Sequence, residues 1–254
     1  MSSIIPASVS IGNPIDVVYV FRNTGKTEDV EMKYSLRSVK KNLRDYRKIW
    51  VVGESPKFLE DVCVPFELIP ATDPFPASQH NVRAKLKKVL ADDRVTDEFI
   101  LMNDDFFFLS EEIAGAIPFF RQGTIPLHIE WRMEQEESPY VRALKAAKDA
   151  LERRGLPLTD FECHIPILYD KAYLGPVLGD DIFDWAATYG MVIRSLYCNY
   201  LGIKGERCMD LKVDSPMTKQ QLDRCFASCR FLSTGPGGLN PEMLQHLEAA
   251  FPAS

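Results

Sequence analysis

Two apolar runs separated by an amphipathic stretch constrain the fold of this chain most. Residues 15–21, Ile-Asp-Val-Val-Tyr-Val-Phe, are β-branched and aromatic and are bounded by Asn-Pro and Asn-Thr-Gly. Residues 48–53, Lys-Ile-Trp-Val-Val-Gly, repeat the pattern and stop at glycine. Such runs lack the polar alternation of a half-wet strand, so they predict strands covered on both faces of an α/β sheet. Between them Met32, Leu36, Val39 and Leu43 recur at helical spacing, with basic residues among them. Strand, helix and strand in this order make a βαβ unit, whose parallel strands need a crossover of this size. A short strand at 66–70, a helix at 80–93, a helix at 138–155 opened by Ser-Pro and closed by glycine, a long helix at 180–202 and a short one after Asn240-Pro241 complete the expected order. The prediction is an α/β chain with a Rossmann-type, mixed but mostly parallel sheet flanked by helices. It forms one fused domain over 1–254, with a nucleotide-binding half at about 12–121 and a more helical, acceptor-facing half at about 122–254.

Composition narrows the partners. Thirty basic against 36 acidic side chains leave a net charge of −6, which argues against a polybasic nucleic-acid coat. No apolar run reaches the ~18–20 residues that span a bilayer. The opening Met-Ser-Ser-Ile-Ile-Pro-Ala-Ser-Val-Ser has neither a cationic start nor a long apolar core, so the expectation is a cytoplasmic chain. The six cysteines (63, 163, 198, 208, 225 and 229) then read as reduced thiols packed as small hydrophobes. Cys225, Cys229 and the nearby His246 could hold zinc, although their spacing is not that of a ribbon or a finger.

The chemistry concentrates in one segment. Phe99, Ile100, Leu101 and Met102 read as a buried strand, which Asn103-Asp104-Asp105 interrupt before Phe106, Phe107, Phe108 and Leu109 resume the apolar pattern. Desolvating a lone carboxylate costs several kcal/mol unless it is paired or binds a metal. Parallel sheets hold ligands at the carboxyl ends of their strands, where this pair falls. Hard oxygen ligands favour Mg²⁺ or Mn²⁺, with Asp104 and Asp105 as ligands and phosphates completing the shell. The competing reading is a tight turn whose aspartates cap backbone amides. Glycine-rich phosphate loops of the P-loop and dinucleotide types are absent, which favours a nucleotide-sugar-dependent transferase over an ATPase or a dehydrogenase.

The segments IDVVYVF, EMKYSLRSVKKNLRDYRKIWVVGESPKFL and EFILMNDDFFFL resemble the first two conserved regions of the Stealth family of capsular polysaccharide phosphotransferases and GlcNAc-1-phosphotransferases. CHIPILYDK, at 163–171, resembles the third region, and MVIRSLYCNYLG, at 191–202, is similar to the arginine-bearing helix that follows it. The resemblance implies a GT-A-like fold, a divalent metal and transfer of a sugar 1-phosphate from a nucleotide sugar, commonly a UDP-sugar, to an acceptor hydroxyl. It also implies residue roles. Asp16 at the nucleotide-facing end of the first strand, Tyr19, Arg37, Ser38 and Asn103 would serve the donor. Asp104 and Asp105 would hold the metal, and His164, Arg194 and Asp105 would form the reaction centre. His164 is then the general base for the acceptor hydroxyl and Arg194 a bidentate phosphate clamp. Each has a plainer reading, His164 as a core histidine, Arg194 as a snorkelling side chain and Arg37 as part of a solvated basic face. Asp210 and Asp214 alternate with Leu211 and Val213 as in an edge strand. Two alternatives stay open: a GT-A glycosyltransferase moving the sugar alone to a glycan, a small molecule or a modified nucleic-acid base, and a non-catalytic nucleotide-sugar-binding module.

Overall fold

The computed structural model describes residues 13–22, 29–56, 64–134, 137–208 and 212–253. Cys63, Asp210, Leu211 and residues 23–28 lie outside them. In chain order the principal elements are β1 (Ile15–Phe21), α1 (Val30–Asn42), β2 (Tyr46–Gly53), β3 (Glu67–Pro70), α2 (Ser78–Ala91), β4 (Glu98–Met102), β5 (Phe106–Phe108), α3 (Ile125–Met133), α4 (Pro139–Glu152), β6 (Ile167–Asp170), α5 (Lys171–Leu178), α6 (Ile193–Tyr200), β7 (Lys212–Val213), α7 (Lys219–Ser228), β8 (Phe231–Thr234) and α8 (Pro241–Ala250).

The mixed, mostly parallel sheet expected from the sequence is present, in the order β6-β4-β1-β2-β3. β1 pairs in parallel with β2 (Tyr19 opposite Val51) and with β4 (Tyr19 opposite Met102), and only β6 runs antiparallel, with Ile167 opposite Leu101. Strand alternation divides the core. Val18, Trp50, Phe99, Leu101 and Tyr169 face a cluster shared with α2, α4, α5 and α6. Val17, Tyr19, Val51, Ile100 and Met102 face a second cluster with Met32, Leu36 and Val39 of α1. The first cluster joins residues from both sides of position 122, for example Val18 and Trp50 with Leu144 and Leu196. A smaller sheet, β7-β8-β5, is covered by α7 and α8 through Leu222, Met243 and Leu247.

The helix expected over 180–202 is two separate things. Only Ile193–Tyr200 is helical. Upstream, Asp184 caps the amide of Ala186 in a turn, and Gly190 adopts φ 69°, where a side chain would meet Gln79 Cβ at 2.9 Å. In compensation Lys-Ala-Tyr-Leu-Gly-Pro-Val-Leu forms α5 despite its internal Pro176, with Asp170 capping the amide of Ala172.

Candidate functional site at the crest of the central sheet

Asp104 and Asp105 occupy a turn between β4 and β5, closed by a hydrogen bond from the Phe106 amide to the Asn103 carbonyl (3.3 Å). The turn marks where the chain leaves the five-stranded sheet and joins the smaller one, in which Ser233 lies opposite Phe106. The Thr234 amide donates to the Asp105 carbonyl (3.2 Å) and fixes the turn against β8. From the other side, Ser35 of α1 donates to the Phe106 carbonyl and exchanges a hydrogen bond with the Tyr19 hydroxyl (2.9 Å). Ser38 accepts from the Phe108 amide (3.1 Å).

Electrostatically the turn is under stress. Burial pushes the Asp104 carboxyl up to about 6, helped by Glu31 and Asp29 at the start of α1. Burial, then the neighbouring Asp104, push Asp105 up to about 7. Asp105 Oδ1 is buried and has no hydrogen-bond partner. Among the described residues no lysine or arginine closes an ion pair with either carboxylate: Lys85 is spent on the Phe21 carbonyl (2.7 Å) and Asp73 (2.7 Å), and Lys212 lies against Asp214 (3.9 Å). Two half-buried, unneutralised carboxylates with an orphaned oxygen fit a hard divalent cation. Among the described residues no group of three or more His, Cys, Asp or Glu is placed to hold a metal, so a cation here would take most of its ligands from water and phosphates, as Mg²⁺ commonly does.

The antiparallel course of β6 matters for what surrounds this turn. Because β6 enters the sheet beside Leu101 and leaves beside Glu98, the residues just before it lie at the carboxyl ends of the parallel strands. His164 is there, its ring edge-on to Phe106 at 6.4 Å between centroids. Arg194, on α6, lies over the same Phe106 ring at 5.3 Å. Its Nη1 donates to the carbonyls of Cys163 and Ile165, on either side of His164, while its buried Nη2 has no partner. His164 and Arg194 thus meet at the Phe106 ring, one residue along the chain from Asp105, whereas the charges that act on the two aspartates are Glu31, Asp29, Lys85 and Lys212.

Other expected site residues are placed differently. Asp16 lies opposite Phe99, at the amino ends of the parallel strands, roughly 15 Å of strand away from the turn. It is fully buried and accepts from Arg47 (2.8 and 2.6 Å), Trp50 Nε1 (2.7 Å) and the Thr96 amide (3.1 Å). Asp16 therefore does not lie at the carboxyl ends of the strands, where the donor was expected. It is a structural knot, because its ion pair with Arg47 and its indole bond satisfy it completely. Arg37, expected on the donor side or on a wet face, is buried and bonded to Glu248 (3.4 Å) and the Phe251 carbonyl (3.3 Å). Ser38 and Tyr19 support the turn from beneath, and burial pushes the Tyr19 hydroxyl far up. Asn103 contributes its carbonyl to the turn. The zinc alternative meets a histidine already engaged at both ring nitrogens, by Asp223 (2.9 Å) and the Glu242 carbonyl (2.8 Å).

Sequence reasoning missed Glu31 and Glu162. Glu31 is held by Thr234 (2.6 Å) and precedes Ser35 by four positions, hence on the same helix face. Glu162 accepts from the Ser195 amide (2.9 Å), and its carboxyl is raised by burial although Arg194 opposes the shift. Its signal was the alternation Asp160, Glu162, His164. No helix among the described residues is long and apolar enough to cross a membrane. No known family model matches the chain, and no curated protein matches it.

Proposed function

We propose that this chain is a metal-dependent transferase of the Stealth type with a GT-A-like fold. It moves a sugar 1-phosphate from a nucleotide sugar, a UDP-sugar by resemblance, to an acceptor hydroxyl. The observation that supports the reading is an aspartate pair with no ion-pair partner among the described residues at the carboxyl crest of a mostly parallel sheet, one residue along the chain from the Phe106 ring against which His164 and a half-satisfied Arg194 pack.

Asp104 and Asp105 would hold Mg²⁺ or Mn²⁺, which supplies charge neutralisation for a pyrophosphate. Arg194 Nη2 offers a donor to a phosphoryl oxygen, while Nη1 keeps the His164 loop in position. His164 accepts the proton of the acceptor hydroxyl, a contribution of roughly 10²–10⁴ in rate. The acceptor oxygen bonds to the β-phosphorus as the bond from that phosphorus to the bridging oxygen breaks. A phosphodiester and a nucleoside monophosphate result.

The released nucleotide tests this directly. Incubation with UDP-sugars, Mn²⁺ and a glycan panel is expected to yield UMP. Accumulation of UDP would reassign the protein to plain glycosyl transfer. Saturable, Mn²⁺-dependent donor binding without turnover would make it a binding module.

A further inference from the structure

A second polar constellation lies along the chain from His164 and takes no part in the scheme above. The short strands Gly123–Thr124 and Thr159–Asp160 pair, and α3 begins directly after the first. Together they bring His128 onto Asp160, both buried, with Nδ1 and Oδ2 2.7 Å apart. Arg132 Nε, which can only donate, aims at His128 Nε2 (3.3 Å), so Nε2 accepts and the ring proton sits on Nδ1. Gln122 gives its amide nitrogen to Asp160 (3.0 Å), which leaves its carbonyl oxygen for another partner.

This relay floors a cleft of ≈ 200 Å³ walled by Leu127 and Trp131. Both are exposed, at 61% and 52%, and sit one helical turn apart. Large apolar side chains displayed beside buried, ordered polar groups are the composition of a small-molecule site rather than of an ordinary wet helix face. Three properties limit the occupant. The volume falls below the ~300–1,000 Å³ of drug-sized sites and suits a single ring. The Arg132 charge opposes that of Asp160 through His128, so the floor favours a neutral group over an ion. The Arg132 guanidinium lies over the Trp131 ring at 4.7 Å, so a ligand would stack on the remaining face of this half-exposed indole, which beside acceptor and donor edges matches a ring with apolar C–H faces and hydroxyl rims.

We infer that the cleft at Trp131, His128 and Asp160 binds a neutral saccharide ring; on the transferase reading above, on which this role rests, it is the acceptor subsite. Asp160 precedes His164 by four residues, at most ~14 Å of chain. A sugar seated on Trp131 thus lies within a short oligosaccharide's reach of the base.

The test needs neither donor nor metal. The intact protein is titrated with methyl glycosides and disaccharides of glucose, galactose, N-acetylglucosamine and N-acetylmannosamine, following tryptophan emission and heat. Trp50 and Trp185 are buried, so ligand-dependent emission changes report on Trp131. At least one sugar is expected to saturate in the millimolar range. Trp131→Ala should weaken it about tenfold or more, and Trp131→Phe should restore part of the loss. No saturable sugar binding across the panel, tighter binding of uridine or adenosine, or sugar binding unchanged in Trp131→Ala would overturn the inference. So would self-association abolished by Trp131→Ala without any sugar effect. Sugar binding at Trp131 with no nucleotide release from any donor would instead remove the transferase reading and leave the saccharide site standing.

Discussion

Asp104 and Asp105 carry the most consequential energetics in the molecule. An unfolded aspartate has a pKa near ~3.9, whereas these two are held at about 6 and about 7. The folded state therefore binds protons more tightly, and the associated stability, present at pH ~4, is lost as pH rises through 6 and 7. The expected result is a melting temperature that falls between pH 5 and 8 in chelator. Mn²⁺ should raise it far more at pH 8 than at pH 5, and Asp105→Asn should flatten both trends; thermal scans at the two pH values check this. Asp16 gives the opposite outcome. Asp16→Ala strands a buried indole N–H and the Arg47 guanidinium, and should cost about 3–5 kcal/mol in denaturant titrations. Asp16→Asn, if it folds, should leave Mn²⁺-dependent donor binding intact. For Arg194, lysine can at best replace one of the two loop contacts and offers no second nitrogen to a phosphate. Arg194→Lys is expected to raise KM for the donor about 10–100-fold, and full donor affinity would refute the clamp.

Helix α1 illustrates how an element can be legible while its purpose is not. Its apolar spacing was readable, and so were β1, β2 and β4, because a fully apolar strand run and a helical stripe are local signals. What α1 does with Ser35 and Ser38 was not readable, since their partners Phe106 and Phe108 lie about seventy positions away and no periodicity links them. The same reason hid the burial of Arg37, whose carbonyl and carboxylate partners are on α8 and just beyond it. The helix expected over 180–202 failed for a local cause, the positive φ of Gly190, while α5 was missed because a Gly-Pro pair normally argues against a helix. The aspartate turn was visible because charge at the end of an apolar strand is conspicuous in one dimension. His128 was invisible because a lone histidine on a partly apolar helix has no signature until Asp160 is folded against it. Ser35→Ala should leave the Phe106 carbonyl and the Tyr19 hydroxyl short of a partner, costing about 1–3 kcal/mol. It should also weaken Mn²⁺ stabilisation, since the turn loses the bond that ties the Phe106 carbonyl to α1; paired melts with and without Mn²⁺ measure both.

At the scale of the molecule, the two larger sheets are joined through the aspartate turn, and α8 locks the smaller of them to α1. Tyr34 donates to Glu248 (2.6 Å), Lys41 to the Ala250 carbonyl (2.7 Å), and Leu247 is wholly buried. Leu247→Ala is expected to lower stability by about 2–5 kcal/mol, measured by denaturant unfolding.

The bond from the Thr234 amide to the Asp105 carbonyl has a temporal consequence. Residues 98–108 emerge from a ribosome long before 231–251 do. A nascent chain halted before Thr234 would carry its acidic pair on an unbuttressed bend, deprived of β8 and of the α8 lock. On the proposed reading, the turn would gain its support from both sides, and with it any affinity for a divalent ion, only late in synthesis.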